Sequence, residues 1–165
     1  MFRPVQLPSQ VEGELFLHSM PGRFEPLEET LAAIQGRGIQ RVVCLTPLEE
    51  VWRKSTAYAC LLEAGTFSWR QKMFPIKDFN VPEDREAYLG LARELASALR
   101  SGERLLIHCA GGIGRTGTLA VVILLALGLG ELEALQAVEM AGSGPENDKQ
   151  RALVTWCARR LQQPG

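Results

Sequence analysis

The apolar positions of this chain fall into two kinds of run. Short blocks in which apolar residues follow one another without alternation, Arg41–Thr46 (RVVCLT) and Arg104–His108 (RLLIH), predict strands covered on both faces. Gly13–His18 (GELFLH) and Trp69–Phe74 predict two further short strands. Between them the apolar residues recur at helical spacing. Pro26–Gln35, Leu48–Ala64, Pro82–Arg100, Thr116–Leu127, Glu131–Ala141 and Asp148–Leu161 all read as helices. Pro26 suits a first helical turn, acids follow it, and Gly36 or Gly38 can end that helix. In Pro82–Arg100 the positions Tyr88, Leu89, Leu91, Ala92, Leu95 and Leu99 form one apolar stripe. Strands alternating with helices, then helices alone, predict an α/β fold: a mostly parallel central sheet of about four to five strands, flanked by helices on both faces. In such sheets ligands bind beyond the carboxyl ends of the strands, which directs attention to the segment after His108.

Composition narrows the class without changing this picture. A chain of 165 residues, 46% hydrophobic and 22% charged, is expected to form a single domain over residues 1–165 with no stapling metal or disulfide framework. Eighteen Lys and Arg against 19 Asp and Glu leave a net charge of −1, which gives no electrostatic case for nucleic acid or anionic membranes. Trp52, Trp69 and Trp156 are scattered and form no base-stacking platform. The longest apolar run, Leu119–Leu127, is nine residues and too short to span a bilayer. The first residues, Met1-Phe2-Arg3-Pro4, lack a signal-peptide apolar region, so a cytoplasmic location is expected. Cys44, Cys60, Cys109 and Cys157 show no CxxC spacing.

One of those cysteines stands in unusual company. Ile107-His108-Cys109-Ala110-Gly111-Gly112-Ile113-Gly114-Arg115-Thr116-Gly117 passes from a predicted strand through a glycine-rich loop into an apolar helix. As a Walker loop it fails, because Arg115 replaces the required Lys and the glycine spacing is wrong. Gly112–Gly117 matches G-x-G-x-x-G literally, but a dinucleotide site needs a following strand that ends in an acid, and Glu131–Ala141 reads as helix. A phosphate nest uses every residue. Five small residues, Ala110, Gly111, Gly112, Ile113 and Gly114, let the loop curl so that its N–H groups point at one centre, at a helix N-terminus. Arg115 can hold two phosphate oxygens with its planar fork. Cys109 lies at the base, where a positive field suits a thiolate nucleophile attacking phosphorus. A phosphate ester then needs its leaving oxygen protonated by a carboxylic acid opposite the nucleophile. Asp78, between a strand and a helix in Phe74–Pro82, is the leading candidate; Glu83 and Asp84 read as first-turn acids serving the helix dipole. His108 is expected to be a structural hydrogen-bonder behind the loop rather than a base.

His108–Thr116 fits the signature HC-x5-R-[S/T] in full, and the chain resembles the cysteine-dependent protein tyrosine and dual-specificity phosphatase superfamily. Gly111-Gly112 is most similar to its compact kinase-associated-phosphatase-like branch. The resemblance is specific in three segments, Phe74–Pro82, His108–Gly117 and Gly144–Gln150. It implies a phosphocysteine intermediate, with Asp78 as general acid 31 residues before Cys109 and four before Pro82. It implies that Thr116 donates its hydroxyl to the leaving thiolate and that Gln150 orients the hydrolytic water. Two departures stand in the acid loop: Ile76-Lys77 replaces the family's Trp-Pro, and Asn80 replaces a glycine, with Asn80 expected to take the left-handed turn geometry.

The expected partner is a phosphorylated protein or peptide, met by a monomer that needs no cofactor. The loop carries no Lys to meet the extra phosphates of a phosphoinositide, which leaves phosphoinositide or RNA 5′-phosphatase activity as the alternative on the same scaffold. A catalytically silent phospho-binding module is the alternative of a different class, and it would have lost the Cys, the Arg or the acid. Cys44, Cys60 and Cys157 are expected in the core, with a protective Cys44–Cys109 disulfide left open.

Overall fold

The computed structural model describes residues 1–163. Five strands form one sheet: β1 (Arg3–Val5), β2 (Glu14–His18), β3 (Arg41–Cys44), β4 (Arg70–Met73) and β5 (Arg104–His108), in the order β1-β2-β5-β3-β4. All neighbours pair in parallel except β1 with β2. The predicted mostly parallel α/β sheet is therefore the observed one. Seven helices accompany it: α1 (Leu27–Gly36), α2 (Leu48–Lys54), α3 (Thr56–Ala64), α4 (Arg85–Arg100), α5 (Gly114–Ala126), α6 (Glu131–Met140) and α7 (Asp148–Gln162).

The period of two along each strand sorts the core into layers. Leu15, Leu17, Val43, Leu105 and Ile107 face the cluster built with α4 to α7. Phe16, Val42 and Leu106 face the other way, onto Ile34 of α1 and Ile39, while Cys44 packs with Val51 and Tyr58 of α2 and α3. Helix α5 is buried along nearly its whole length, Gly114 to Leu125, which explains why its sequence is apolar all round. β5 lies in the middle of the sheet, so the residue after it, Cys109, emerges at the centre of the carboxyl edge.

Several expectations shift at the edges of elements. β1 was not foreseen: three residues, one of them Pro4, carry no alternation, and only pairing with Leu15–Leu17 makes them a strand. The helix expected over Leu48–Ala64 breaks at Ser55, whose hydroxyl donates to Pro21 O at 2.8 Å and caps α3 by accepting from Tyr58 N. Helix α4 starts at Arg85 rather than Pro82, and Asp84 caps it by accepting from Ala87 N at 3.0 Å. Helix α5 starts at Gly114, so the glycine loop is shorter than expected and its last members are the first turn of the helix. Cys60 is exposed, contrary to its core assignment, because it falls on the outer side of α3; Cys44 and Cys157 are buried.

Candidate active site

The loop after β5 is shaped from behind, through its carbonyls. Cys109 O accepts from His108 Nδ1 at 3.1 Å, and Ala110 O accepts from Met20 N at 3.1 Å. Gly112 O accepts from both Arg3 Nη2, at 2.5 Å, and Ser143 Oγ, at 2.6 Å. In a trans peptide the next N–H points opposite to the carbonyl, so these bonds turn the Ala110, Gly111 and Ile113 N–H groups to the other side of the loop. That side is a cleft of about 200 Å³ lined by Ala110, Gly111, Ile113 and Gly114 together with Cys109 and Arg115. Gly112 does not line it. Its own N–H donates to Cys109 Sγ at 3.3 Å, and with φ +72° a Cβ there would stand 2.5 Å from His18 O.

His108 is buried between two partners that fix its protonation. A carbonyl can only accept, so Nδ1 carries the proton toward Cys109 O, and Nε2 accepts from Tyr58 OH at 2.7 Å. Burial lowers the pKa of His108 to about 4, so the ring is neutral. The chain of bonds continues outward: Gln71 Nε2 donates to Tyr58 OH at 3.4 Å, and Trp69 Nε1 donates to Gln71 Oε1 at 2.8 Å. β4 thereby supports the loop through α3.

Arg115 is buried, and its guanidinium is held by groups far along the chain. Nη1 donates to Glu50 Oε1 at 3.1 Å and to Ile76 O at 2.8 Å. Nη2 donates to Glu50 Oε2 at 3.0 Å and to Asp78 Oδ1 at 3.2 Å. Burial works against the cation, but the Glu50 hydrogen bonds outweigh it and raise the pKa of Arg115 above its ordinary value. Burial would likewise raise the pKa of Glu50, but bonds from Arg115 and Lys54 hold it below the ordinary carboxylate value. Lys54 Nζ lies 2.9 Å from Glu50 and 3.9 Å from Asp78.

Asp78, Cys109, Arg115 and Gln150 line the same cleft. The acid loop takes its turn at Phe79, with φ +61°, and not at Asn80 as expected. Asn147 Nδ2 holds this turn by donating to Phe79 O at 2.8 Å. Gln150 is buried rather than solvated: its Oε1 accepts from Glu146 N at 2.8 Å and its Nε2 donates to Asn80 O at 3.4 Å. Thr116 is fully buried, and its hydroxyl is among the buried polar atoms that have no hydrogen-bond partner. Cys44 is buried beside the site, its thiol donating to Thr46 O at 3.6 Å, and burial pushes its pKa up to about 12.

Four further groups belong to the site; Glu50, Arg3 and Ser143 carried no signal in the sequence, and Glu146 stands inside the Gly144–Gln150 segment without a role expected of it. Glu50 clamps Arg115. Arg3 and Ser143 hold Gly112. Glu146 is a second carboxylate lining the cleft, so close to Gly114 that a Cβ there would stand 2.8 Å from its carboxyl. Among the described residues no cluster of three His, Cys, Asp or Glu side chains is placed to hold a metal, and no helix is long and apolar enough to cross a membrane.

Residues 11–163 match the family model described as PTP-SAK, the Swiss Army Knife protein DSP-PTPase phosphatase domain. Protein 067L of Invertebrate iridescent virus 3, named as a candidate tyrosine phosphatase, is 29% identical over 126 residues; the match covers 74% of this chain and 49% of the viral protein. The chain thus spans about half the length of the curated relative it matches. Among solved structures, a kinase associated phosphatase with serine substituted for its catalytic-site cysteine superposes with a TM-score of 0.82 at 20% identity, covering 98% of this chain and 95% of that one. Tk-PTP in its active form superposes at 0.71 with 26% identity, covering 92% and 98%.

Proposed function

Because the chain belongs to the DSP-PTPase phosphatase domain family, we propose that it hydrolyses phosphomonoesters on phosphorylated protein side chains through a phosphocysteine intermediate. The observation that carries this reading is the convergence of Cys109, Arg115 and Asp78 on one cleft, beneath loop amides turned inward by bonds to their carbonyls. Phosphate takes the place Asp78 now holds on Arg115 Nη2, and the loop amides receive its remaining oxygens. Cys109 Sγ attacks phosphorus as the P–O bond to the side chain breaks. Asp78, displaced from the guanidinium by the phosphate and protonated from solvent, gives that proton to the departing oxygen. Thr116, with an unengaged buried hydroxyl, donates to the thiolate when it departs. Gln150, already tied to the acid loop, orients the water that attacks phosphorus, and Asp78 takes up that water's proton.

The reading makes the protein a metal-independent monomer of a reducing, cytoplasmic compartment, since a thiolate nucleophile works only while reduced. A turnover panel of phosphotyrosine and phosphothreonine peptides, a phosphoinositide and a 5′-phosphorylated RNA tests it, with Cys109→Ser as the control. Hydrolysis of the peptides that Cys109→Ser abolishes is the expected result. Turnover restricted to the lipid or the RNA would replace the substrate class, and unchanged turnover by Cys109→Ser would overturn the mechanism.

A further inference from the structure

We infer that Arg3 and Ser143 are positioning residues for the phosphate-binding loop, acting through the Gly112 carbonyl. Arg3 stands on the edge strand β1, remote in sequence from the signature, yet its guanidinium reaches across the loop. Nη2 donates to Gly112 O, and Nη1 donates to Ala141 O at 3.1 Å, Gly142 O at 2.9 Å and Ser143 Oγ at 3.1 Å. Ser143 Oγ donates in turn to Gly112 O. Both lone pairs of that one carbonyl are therefore taken from behind the loop. All four of Arg3's acceptors are uncharged, so the side chain is not spent on an ion pair.

The Gly112–Ile113 peptide is the plane that matters. Its carbonyl is fixed outward, so its N–H, on Ile113, is fixed toward the cleft. Gly112 has no Cβ to resist rotation of this plane, and its positive φ lies where glycine is free to move. Without the two donors the plane can turn, which would aim a carbonyl oxygen instead of an N–H at an incoming phosphate. Burial lowers the pKa of Arg3, and the coulombic effect of Cys109 across the loop opposes that shift. A planar five-donor fork meets three carbonyls and a hydroxyl at once; a lysine ammonium cannot.

This inference rests on the proposed function only in taking the cleft as an oxyanion site, so its test is binding rather than turnover. Tungstate is titrated calorimetrically into the wild-type protein, Arg3→Ala, Arg3→Lys and Ser143→Ala, with the thermal midpoint of each recorded. Arg3→Ala is expected to weaken tungstate about tenfold or more, as loss of an aligned oxyanion donor does. Ser143→Ala, a small change that tests the brace even if Arg3→Ala does not fold, is expected to weaken it about threefold, since Arg3 still holds the carbonyl. Arg3→Lys is expected to resemble Arg3→Ala, and millimolar guanidinium is expected to restore affinity to Arg3→Ala alone. Wild-type affinity in both Arg3→Ala and Ser143→Ala, or full rescue by Arg3→Lys, would overturn the inference. If the wild-type protein binds tungstate but hydrolyses no ester, the proposed function fails and the brace is still decided by these affinities. Absence of tungstate binding by the wild-type protein overturns both.

Discussion

Glu50 and Arg115 meet as a buried bidentate pair, with both carboxylate oxygens on the two terminal nitrogens at 3.1 and 3.0 Å. Removing one partner of such a pair leaves an uncompensated buried charge, so Glu50→Ala is expected to destabilise the protein by about 3 kcal/mol. Glu50→Gln keeps the shape and isolates the charge. The carboxyl's folded pKa is depressed, so its stabilisation is present above the ordinary carboxylate range and is lost as pH falls through the folded value. Thermal midpoints taken below pH 5 are expected to fall less steeply for Glu50→Gln than for the wild-type protein.

Asp78 sits on the Arg115 guanidinium, the place the proposed mechanism gives to phosphate. Asp78→Asn is expected to slow turnover of a poorly leaving alkyl phosphate by about 10²–10⁴-fold while an activated aryl phosphate is affected far less. Equal losses for both substrates would remove Asp78 from the acid role and turn attention to Glu146, the other acidic carboxylate lining the cleft.

His108 gives stability its own pH window. Its folded value of about 4 lies under the ordinary 6.5, so the unfolded chain takes up a proton that the folded one refuses. Stability is full above pH 6.5 and declines by about 3 kcal/mol on the way to pH 4. His108→Gln is expected to flatten that decline in chemical denaturation measured from pH 7 to pH 4. Tyr58→Phe, which leaves Nε2 without its donor, is expected to cost about 1–3 kcal/mol at neutral pH.

Gly117 lies where α5 passes the α6–α7 connection. A Cβ at this position would stand 2.1 Å from Gly144 N, backbone that cannot yield as a side chain would. Gly117→Ala is expected to cost about 1–3 kcal/mol and to displace the connection that carries Ser143 and leads into Gln150 of α7. Turnover should fall along with the thermal midpoint. A fully active, fully stable variant would show that the two segments separate without loss.

What the sequence discloses here follows from how far each relationship reaches along the chain. The strands covered on both faces, the helical stripes and the HC-x5-R loop are local patterns, and each stands where its residues place it. Asp78 and Gln150 stand in short motifs whose spacing survives, and the structure brings both to the cleft that holds Cys109. Glu50, Arg3 and Ser143 had no such signal: an ordinary acid in a helix, a cation near the start of the chain and a serine between glycines acquire meaning only from partners 31 to 140 positions away. The same reason explains the elements that moved. β1 exists because β2 pairs with it, and the break at Ser55 is made by Pro21, neither of which a window on the local sequence contains.

Arg3 and Ser143 lie 140 positions apart, and both must be in place before the Gly112 peptide is pinned. Synthesis runs from one end, at roughly 5–20 residues per second, so Cys109 and Arg115 exist for a few seconds before Ser143 is made. A growing chain that has passed the signature holds Cys109 and Arg115 and lacks the brace behind their loop. Contacts this distant in sequence are also the slow ones to form. The signature loop is thus made early and braced late, and a chain arrested before Ser143 would carry the full motif without its support.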